Sequence, residues 1–575
     1  VKKYAVDPST EIKLACPRVP SQVPFSQSLG CGFSHACMPK QDTSMANMLN
    51  GASSRIGREF LPNRRGCRAC TISINARICT YPILLGNEDF SLDRFFETSH
   101  YSLKQIENMR TEFLEFSESL TINEIAKNKD YYLWRKQLFA NKCFGKDEFY
   151  KLLEKMARGI CSRRNVFKCL VGPIFRHIDK CIFSLPNFIK SVPVNDRPQY
   201  IKEFFSDCPT SDGWRYFESD YTSFESQFHP RIIKRIELRI FRHIIQNCDF
   251  CDPFMAILEY AMTHQNVCYF KDFIMKVTGR RMSGEMCTSS GNGVTNFEVL
   301  SAMYDYCGCA ARIIVEGDDG LVAAKITKPG GYFPTESDFE KWGFRIKMLA
   351  VDKLSEASFC GLVFDEDELC NIRDPLTLIG QYSWTTRKYT GLRPITAKAL
   401  LRARAFSGMY MYAGCPVVQE FCLYLLRSTR SPHVHIALAR LLDNADYWLK
   451  TRLLPVGLDL QHAETTVLEE VVKQIGPKTR QLMFDKFGIS QEVQCSLEGF
   501  FKGLDTLQPI PWELWIEDVP NDWIEYYMTH VISTDMAYRH LNFHLLPRML
   551  NFKLPPHTRM KGNKVLHLNN MLQDY

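Results

Sequence analysis

Residues 213–225 read GWRYFESDYTSFE, and residues 311–325 read ARIIVEGDDGLVAAK. In the first stretch, Gly213 to Ser219 predicts a strand that ends at Asp220. Pro230 then opens a helix, where its missing N–H costs nothing. Ile232, Ile236, Ile240 and Ile244 recur every fourth position and mark one apolar helix face. In the second stretch, Ala311–Glu316 and Leu321–Lys325 are two β-like runs around Gly317-Asp318-Asp319-Gly320. That is a hairpin signature, and the tetrapeptide suits a type I′ turn, whose central residues need positive φ. Short strands alternating with helices from about residue 200 to 375 predict an α+β fold.

Between these stretches lies Ser283-Gly284-x3-Thr288-x3-Asn292, running into a helix marked by Val294, Phe297, Leu300 and Tyr304. Each motif has a plain structural reading alone. GDDG is a good turn, a strand-end aspartate is a common helix cap, and Ser283 or Thr288 could cap the helix that follows. Together they suit phosphoryl transfer assisted by two metal ions, which needs carboxylates from separate elements converging on one point. Mg²⁺ takes hard oxygen ligands. Asp220 at a strand end and Asp318 at an adjacent hairpin tip supply that convergence if their strands share a sheet. Three neighbouring carboxylates would be costly without cations.

The ordered series D-x4-E, SGxxxTxxxN and GDD resembles the palm of viral RNA-dependent RNA polymerases of positive-strand viruses, nearest in texture to the tombus- and noda-like groups. The resemblance is specific over about residues 150–365. It implies a right-hand polymerase fold with fingers, an antiparallel-sheet palm and a helical thumb. The implied divisions are an N-terminal extension at 1–85 packing on fingers and thumb, fingers at 86–205, a palm at 206–384 with a finger insertion at about 231–279, and a thumb with a basic tail at 385–575. By the same resemblance Asp220, Asp318 and Asp319 are catalytic and bind two Mg²⁺, with Mn²⁺ able to substitute. Asp319 contributes less to the metals. Ser283, Thr288 and Asn292 read the template and the ribose 2′-OH, and Glu225, where the family more often has Asp, supports that selection. Gly284 and Gly317 shape the loops at template and primer. In GFRIKMLAVDKLSEASFCGLVF (343–364), Lys353 matches the lysine thought to protonate pyrophosphate, with Lys347 as competitor. Ser358–Phe364 matches the turn that braces the primer.

Upstream, Lys151–Lys180 holds eight basic residues against two acidic ones, a patch suited to a polyanion. A solvated helix face is the bland alternative. Lys155, Arg158, Arg163 and Arg164 resemble the basic fingers motif over the triphosphate, since arginine pairs bidentately with phosphate oxygens. Arg158 is the best single candidate, and either Arg163 or Arg164 should reach phosphate.

The chain has 575 residues with 71 Lys plus Arg and 64 Asp plus Glu, a net charge of +7. It is 45% hydrophobic and 23% charged, which excludes wholesale disorder and coiled coil. It holds no run of 18 or more apolar residues. The N-terminus lacks the apolar core of a signal peptide and begins with Val1, which reads as a piece of a longer product. The 22 cysteines are scattered and read as reduced thiols. Cys67-x2-Cys70, with Cys31, Cys37 and His35, could form a structural zinc site, with buried free thiols the alternative. Residues 1–85 read as loop-rich, 88–155 as mostly helical, and everything after 385 as helices ending in a basic tail.

The expected activity is RNA-directed RNA polymerisation from NTPs, with single-stranded RNA template and nascent RNA as partners. Other viral replication proteins and host membranes would be reached through a partner or a missing segment, in replication complexes of the host cytoplasm. The alternatives are a catalytically inactive RNA-binding scaffold and a reverse transcriptase. The intact aspartates count against the first and the SGxxxTxxxN loop against the second. No GxxxxGK[ST] or HExxH occurs, so helicase and zincin readings have no support.

Overall fold

The computed structural model describes residues 5–15, 26–117, 139–385, 389–443, 471–515 and 520–530. It is a mixed α+β structure built on two main sheets. The first contains β4 (Arg215–Tyr221), β7 (Cys309–Glu316), β8 (Asp319–Ile326) and β9 (Ile346–Val351), in the order β7-β8-β4-β9. All its pairings are antiparallel. Along β4, Tyr216, Phe217, Ser219 and Tyr221 are buried while Asp220 is exposed. The two-residue period of a strand thus turns the aspartate out as it turns its neighbours in.

The second sheet contains β1 (Glu11–Leu14), β2 (Ala140–Gly145), β3 (Gly159–Arg163), β5 (Gln265–Tyr269) and β6 (Phe273–Thr278), in the order β1-β6-β5-β2-β3. Only β2 and β5 run parallel among its pairs. Chain from three distant parts of the sequence meets here. The predicted insertion at 231–279 therefore returns to pair with strands near residue 140. A short pair, β10 (Val363–Phe364) and β11 (Asn371–Ile372), completes the strands.

The helix Thr288–Tyr306 runs between the sheets and is buried along most of its length. It packs into a large core with the helix Asn165–Phe183 and the apolar side of the first sheet. Within that core Phe175 meets Phe241 and Phe254 edge-to-face at 5.4 and 5.6 Å, contacts worth about 1 kcal/mol each beyond their burial. A second core gathers the helices Pro394–Tyr412, Val418–Ser428 and Gln491–Lys502 with Leu29, Phe33 and Met38. The strand near 215, the hairpin and the helices after 385 all form as the sequence predicts.

Several boundaries and one turn differ. The loop-rich stretch 1–85 holds two α-helices among its described residues. Met45–Arg55 and Arg64–Arg77 are helices, capped by the side chains of Ser44 and Asn63, which accept from the Asn47 and Arg65 N–H groups. Their apolar periodicity is weak because Gly, Ser and Cys form much of the packed face. The helical stretch predicted over 88–155 stops earlier: helices span Leu92–Glu97 and Leu103–Ser117, and β2 begins at Ala140. The helix opened by Pro230 breaks at Ile236 into Pro230–Arg235 and Glu237–Ile244. The hairpin turn centres on Gly317 and Asp318, because Glu316 pairs with Asp319. Only Gly317 has positive φ, at 61°, the pattern of type II′ rather than type I′. The basic tail lies outside the described residues, as does the latter half of the segment HIALARLLDNADYWLKTRLL (435–454).

Candidate active site

Asp220 and the hairpin tip come together through register. Ser219 pairs with Gly320, so Asp220 stands one step further along β4, beside the turn that carries Asp318 and Asp319. Past Asp220, Ser223 takes φ 54°, an uncommon left-handed conformation for a residue with a side chain. It throws the chain into a short turn at Phe224–Gln227 that presents Glu225. Asn296 holds the hairpin from below: its Nδ2 donates to the carbonyls of Gly317 at 3.2 Å and Asp319 at 3.0 Å.

The carboxylates perturb one another. Burial raises Asp318 to about 6, with Asp220 and Glu225 adding to the effect. Burial raises Asp319 to about 7, with Asp318, Asp220 and Glu316 adding. Asp220 is also raised by burial, against the pull of Lys347 and Arg158. Their oxygens do not all lie within 4.8 Å of one another. Like charges this poorly compensated fit a divalent cation, whose charge would restore the ionised forms.

A cavity of ≈ 2260 Å³ opens over this site, with Arg158, Glu225, Ser283, Asn292, Asp318 and Asp319 in its wall. It exceeds the 300–1,000 Å³ typical of small-molecule pockets. Lys142, Arg164, Lys168 and Arg176 line its far side, giving an acidic floor and a basic wall.

The predicted residues divide into those the cavity gathers and those it does not. Arg158 faces the acids. It pairs with Glu148 at 3.4 Å, and its charge acts on both Asp220 and Asp318. Arg164 lines the cavity and is exposed. Arg163 also lines the cavity, but its side chain is turned into the protein. Its guanidinium has no exposed surface, pairs with Glu285, and donates to the carbonyls of Phe139 at 2.9 Å and Ala261 at 2.8 Å. Lys155 is outside the cavity wall, with its ammonium 4.8 Å from the centre of the Tyr150 ring.

Lys353 also lies off the wall, and its charge is felt by Asp367. Lys347 is the cross-strand partner of Asp220, and its charge lowers that carboxylate more than any other does. The competitor therefore stands directly beside Asp220, although it too is outside the cavity wall.

The Ser283 loop is fastened to β3. Ser283 Oγ donates to the Gly159 carbonyl at 2.9 Å, and the Gly284 N–H donates to the Cys161 carbonyl at 3.1 Å. A Cβ on Gly284 would meet Cys161 O and Ser162 Cα at 2.9 Å, so only glycine fits. Thr288 Oγ1 donates to the Glu285 carbonyl at 2.8 Å. Asn292 Oδ1 accepts from Arg281 Nε at 3.0 Å. Arg281 is itself buried between Glu237 and Glu285.

Two contributors were not picked out from the sequence. Arg55, at the end of the helix Met45–Arg55, forms an ion pair with Glu225. They are 170 positions apart, and no local pattern links them. Asn296 sits one helical turn past Asn292, so extending the SGxxxTxxxN spacing by four would have found it.

The expected zinc site does not assemble. Cys67 and Cys70 lie in the large core beside the hairpin, Cys31 lies in the second core, and Cys37 packs against Trp384 and Tyr526. Among the described residues, one group of three potential ligands is drawn together, and it is Cys143, Cys161 and Cys268.

The site is thus a cluster of aspartates at the edge of an antiparallel sheet beside a large cavity, and comparison with known proteins says what the chain resembles. The family model described as viral RNA dependent RNA polymerase matches residues 235–507. Its span takes in the Ser283 loop and the GDD hairpin but begins after Asp220. The RNA-directed RNA polymerase of Maize chlorotic mottle virus (isolate United States/Kansas/1987) is 23% identical over 340 residues, covering 57% of this chain and 32% of that protein. That of Melon necrotic spot virus is 24% identical over 271 residues, covering 45% and 32%. That of Tobacco necrosis virus (strain A) is 24% identical over 263 residues, covering 43% and 32%. The chain spans about a third of the length of these curated relatives. The resemblance to the catalytic core of viral RNA-dependent RNA polymerases is borne out. Among the described residues, no helix is long and apolar enough to cross a membrane.

Proposed function

We propose that the chain is the catalytic core of an RNA-directed RNA polymerase that copies a viral RNA genome. The observation that carries this reading is the placement of Asp220 at the end of β4 beside the hairpin turn that holds Asp318, with Asp318 and Arg158 both lining a large cavity and the charge of Arg158 acting on both aspartates. The first sheet is then the palm, within 206–384. The second sheet and its helices are fingers, from 86–205 and the 231–279 insertion. The helices after 385 are the thumb, and residues 1–85 bridge fingers and thumb.

Asp220 and Asp318, with a lesser share from Asp319, would hold two Mg²⁺ ions, or Mn²⁺ in their place. Bound there, the ions lower the cost of charge on the attacking 3′-oxygen and on the leaving pyrophosphate. Arg158 and Arg164 neutralise the triphosphate, with Lys155 at the rim. Glu225, Ser283 and Asn292 face the same cavity and suit a ribose 2′-OH, which both donates and accepts. A lysine protonates the departing pyrophosphate. Lys353 is the motif's candidate and Lys347 the one that geometry favours. Most of the acceleration is positioning and charge neutralisation. The partners are single-stranded RNA template, nascent RNA and NTPs. The setting is the host cytoplasm, in membrane-associated complexes formed with other replication proteins.

The test is incorporation of labelled NTPs on a single-stranded RNA template with Mg²⁺, beside Asp318→Asn and a dNTP arm. RNA-length product that the mutant loses is the expected result. A folded wild type that binds RNA but makes no product would overturn the reading.

A further inference from the structure

Beneath the Ser283 loop, three neighbouring strands of the second sheet each contribute a buried thiol. Cys143 on β2 and Cys161 on β3 are direct cross-strand partners. Cys268 on β5 lies opposite Asn141, two residues from Cys143 and on the same face of the sheet. Their sulfurs lie within 4.8 Å of one another. Cys143 is 6% exposed, Cys161 2% and Cys268 0%. A fourth soft donor stands beside them: Met282 Sδ is 3.6 Å from Cys268 Sγ.

We propose that Cys143, Cys161 and Cys268 bind one thiophilic d¹⁰ cation, Zn²⁺ or Cu⁺, with Met282 Sδ at the fourth position. Thiolate and thioether donors select these ions over the hard ions suited to the aspartates. Metal–sulfur bonds of about 2.3 Å in a tetrahedral site put the sulfurs about 3.8 Å apart. The trio closes to that spacing by less than about an ångström at each sulfur, a side-chain adjustment with no change of strand register. Each ligating thiol releases its proton to solvent as the metal enters.

The site has a structural target. Met282 directly precedes Ser283, and Cys161 holds the loop through its own backbone. Its N–H donates to Ser283 Oγ at 3.4 Å, and its carbonyl accepts from Gly284. A metal joining three strands to Met282 fixes the loop from below.

The full chain is expressed with zinc and copper supplied, dialysed against a weak chelator, and analysed for both metals. The expected result is one zinc or one copper per chain, and which one identifies the ion. Replacement by Co²⁺ should give thiolate-to-cobalt charge transfer and the visible bands of a tetrahedral site. Both signals should vanish in Cys143→Ser and persist in Cys67→Ser. If Cys143→Ser does not fold, wild type decides: added Zn²⁺ or Cu⁺ should raise its unfolding midpoint. Wild type without stoichiometric metal and without cobalt–thiolate bands overturns the proposal. So does metal retained in a folded Cys143→Ser, or an unfolding midpoint that neither ion moves. None of these readouts depends on polymerase activity.

Discussion

The two main sheets meet at one cavity and treat charge in opposite ways. On the second sheet and the loop beside it, every buried arginine has a carboxylate: Arg163 with Glu285, Arg281 with Glu237 and Glu285, Arg280 with Asp7. These guanidiniums also use backbone carbonyls and ring faces, so little of their donor capacity is left for a ligand. On the first sheet, Asp318 and Asp319 sit beside Asp220 with burial and mutual repulsion pushing both upward. Paired charges brace a loop, whereas under-compensated charges mark where a cation or substrate belongs. The contrast separates Arg163 from Arg158, two residues that look alike in sequence.

The largest effect expected is at the first sheet. Asp318→Asn should lower NTP incorporation by on the order of 10³-fold, the scale of losing several kcal/mol of charge stabilisation. It should leave the unfolding midpoint unchanged or raised, because it removes a repelling charge. Single-turnover incorporation and thermal unfolding on the same sample check both halves. A large loss of stability would break the comparison.

Arg281→Met is the opposite experiment. It strands Glu237 without its arginine while Glu285 keeps Arg163, and breaking a buried pair in this way costs about 3–5 kcal/mol. Chemical denaturation should show that loss directly. A stable Arg281→Met with impaired nucleotide binding would mean that Arg281 serves the ligand.

Arg55 and Glu225 sit between the two regimes, paired while Glu225 lines the cavity, with side chains 23% and 20% exposed. Arg55→Ala frees Glu225 to move. Discrimination between NTP and dNTP should fall roughly tenfold, about 1.4 kcal/mol, with a smaller change in the rate with NTP. Competition between ATP and dATP measures it. Unchanged discrimination with a lower unfolding midpoint would reduce the pair to a brace between the N-terminal helix and the first sheet.

The first sheet was legible because its signals are local. A strand that alternates buried and exposed residues, a Gly-Asp turn and a serine–glycine loop each announce themselves within about ten residues. The nearness of Asp220 to Asp318 could therefore be expected from the sequence. The second sheet was not legible, since β1, the pair β2 and β3, and the pair β5 and β6 come from three stretches more than a hundred positions apart. The fate of Arg163 depends on Glu285, and the role of Arg55 on Glu225. The N-terminal cysteines fit the buried-thiol reading rather than the zinc alternative for a related reason. Cys67 and Cys70 have ligand spacing but share a packed helix, whereas Cys143, Cys161 and Cys268 have no such spacing and meet only through strand pairing. Lys347 was underrated because its cross-strand position beside Asp220 exists only once the register is known.

The smallest effect lies at the edge of the comparison, on the helix Asn165–Phe183. Asp179 is at the cavity wall, and burial raises it to about 7 against the weaker pull of Ser290 and Lys190. An unfolded aspartate titrates near 3.9. A folded value above the unfolded one means that the native state holds its proton longer. The stability that follows from this is fully present below about pH 4, falls as the pH rises, and is gone above about pH 7. Asparagine escapes that loss. Asp179→Asn should match wild type at pH 4 and exceed it by about 1 kcal/mol at pH 8, a modest figure because water in the cavity screens the charge. Unfolding midpoints across that range test it. If the gain is equally large at pH 4, the carboxylate is not titrating and steric fit explains the difference. If asparagine is worse at pH 8, Asp179 is ionised and well paired, and it belongs with the braced charges of the second sheet.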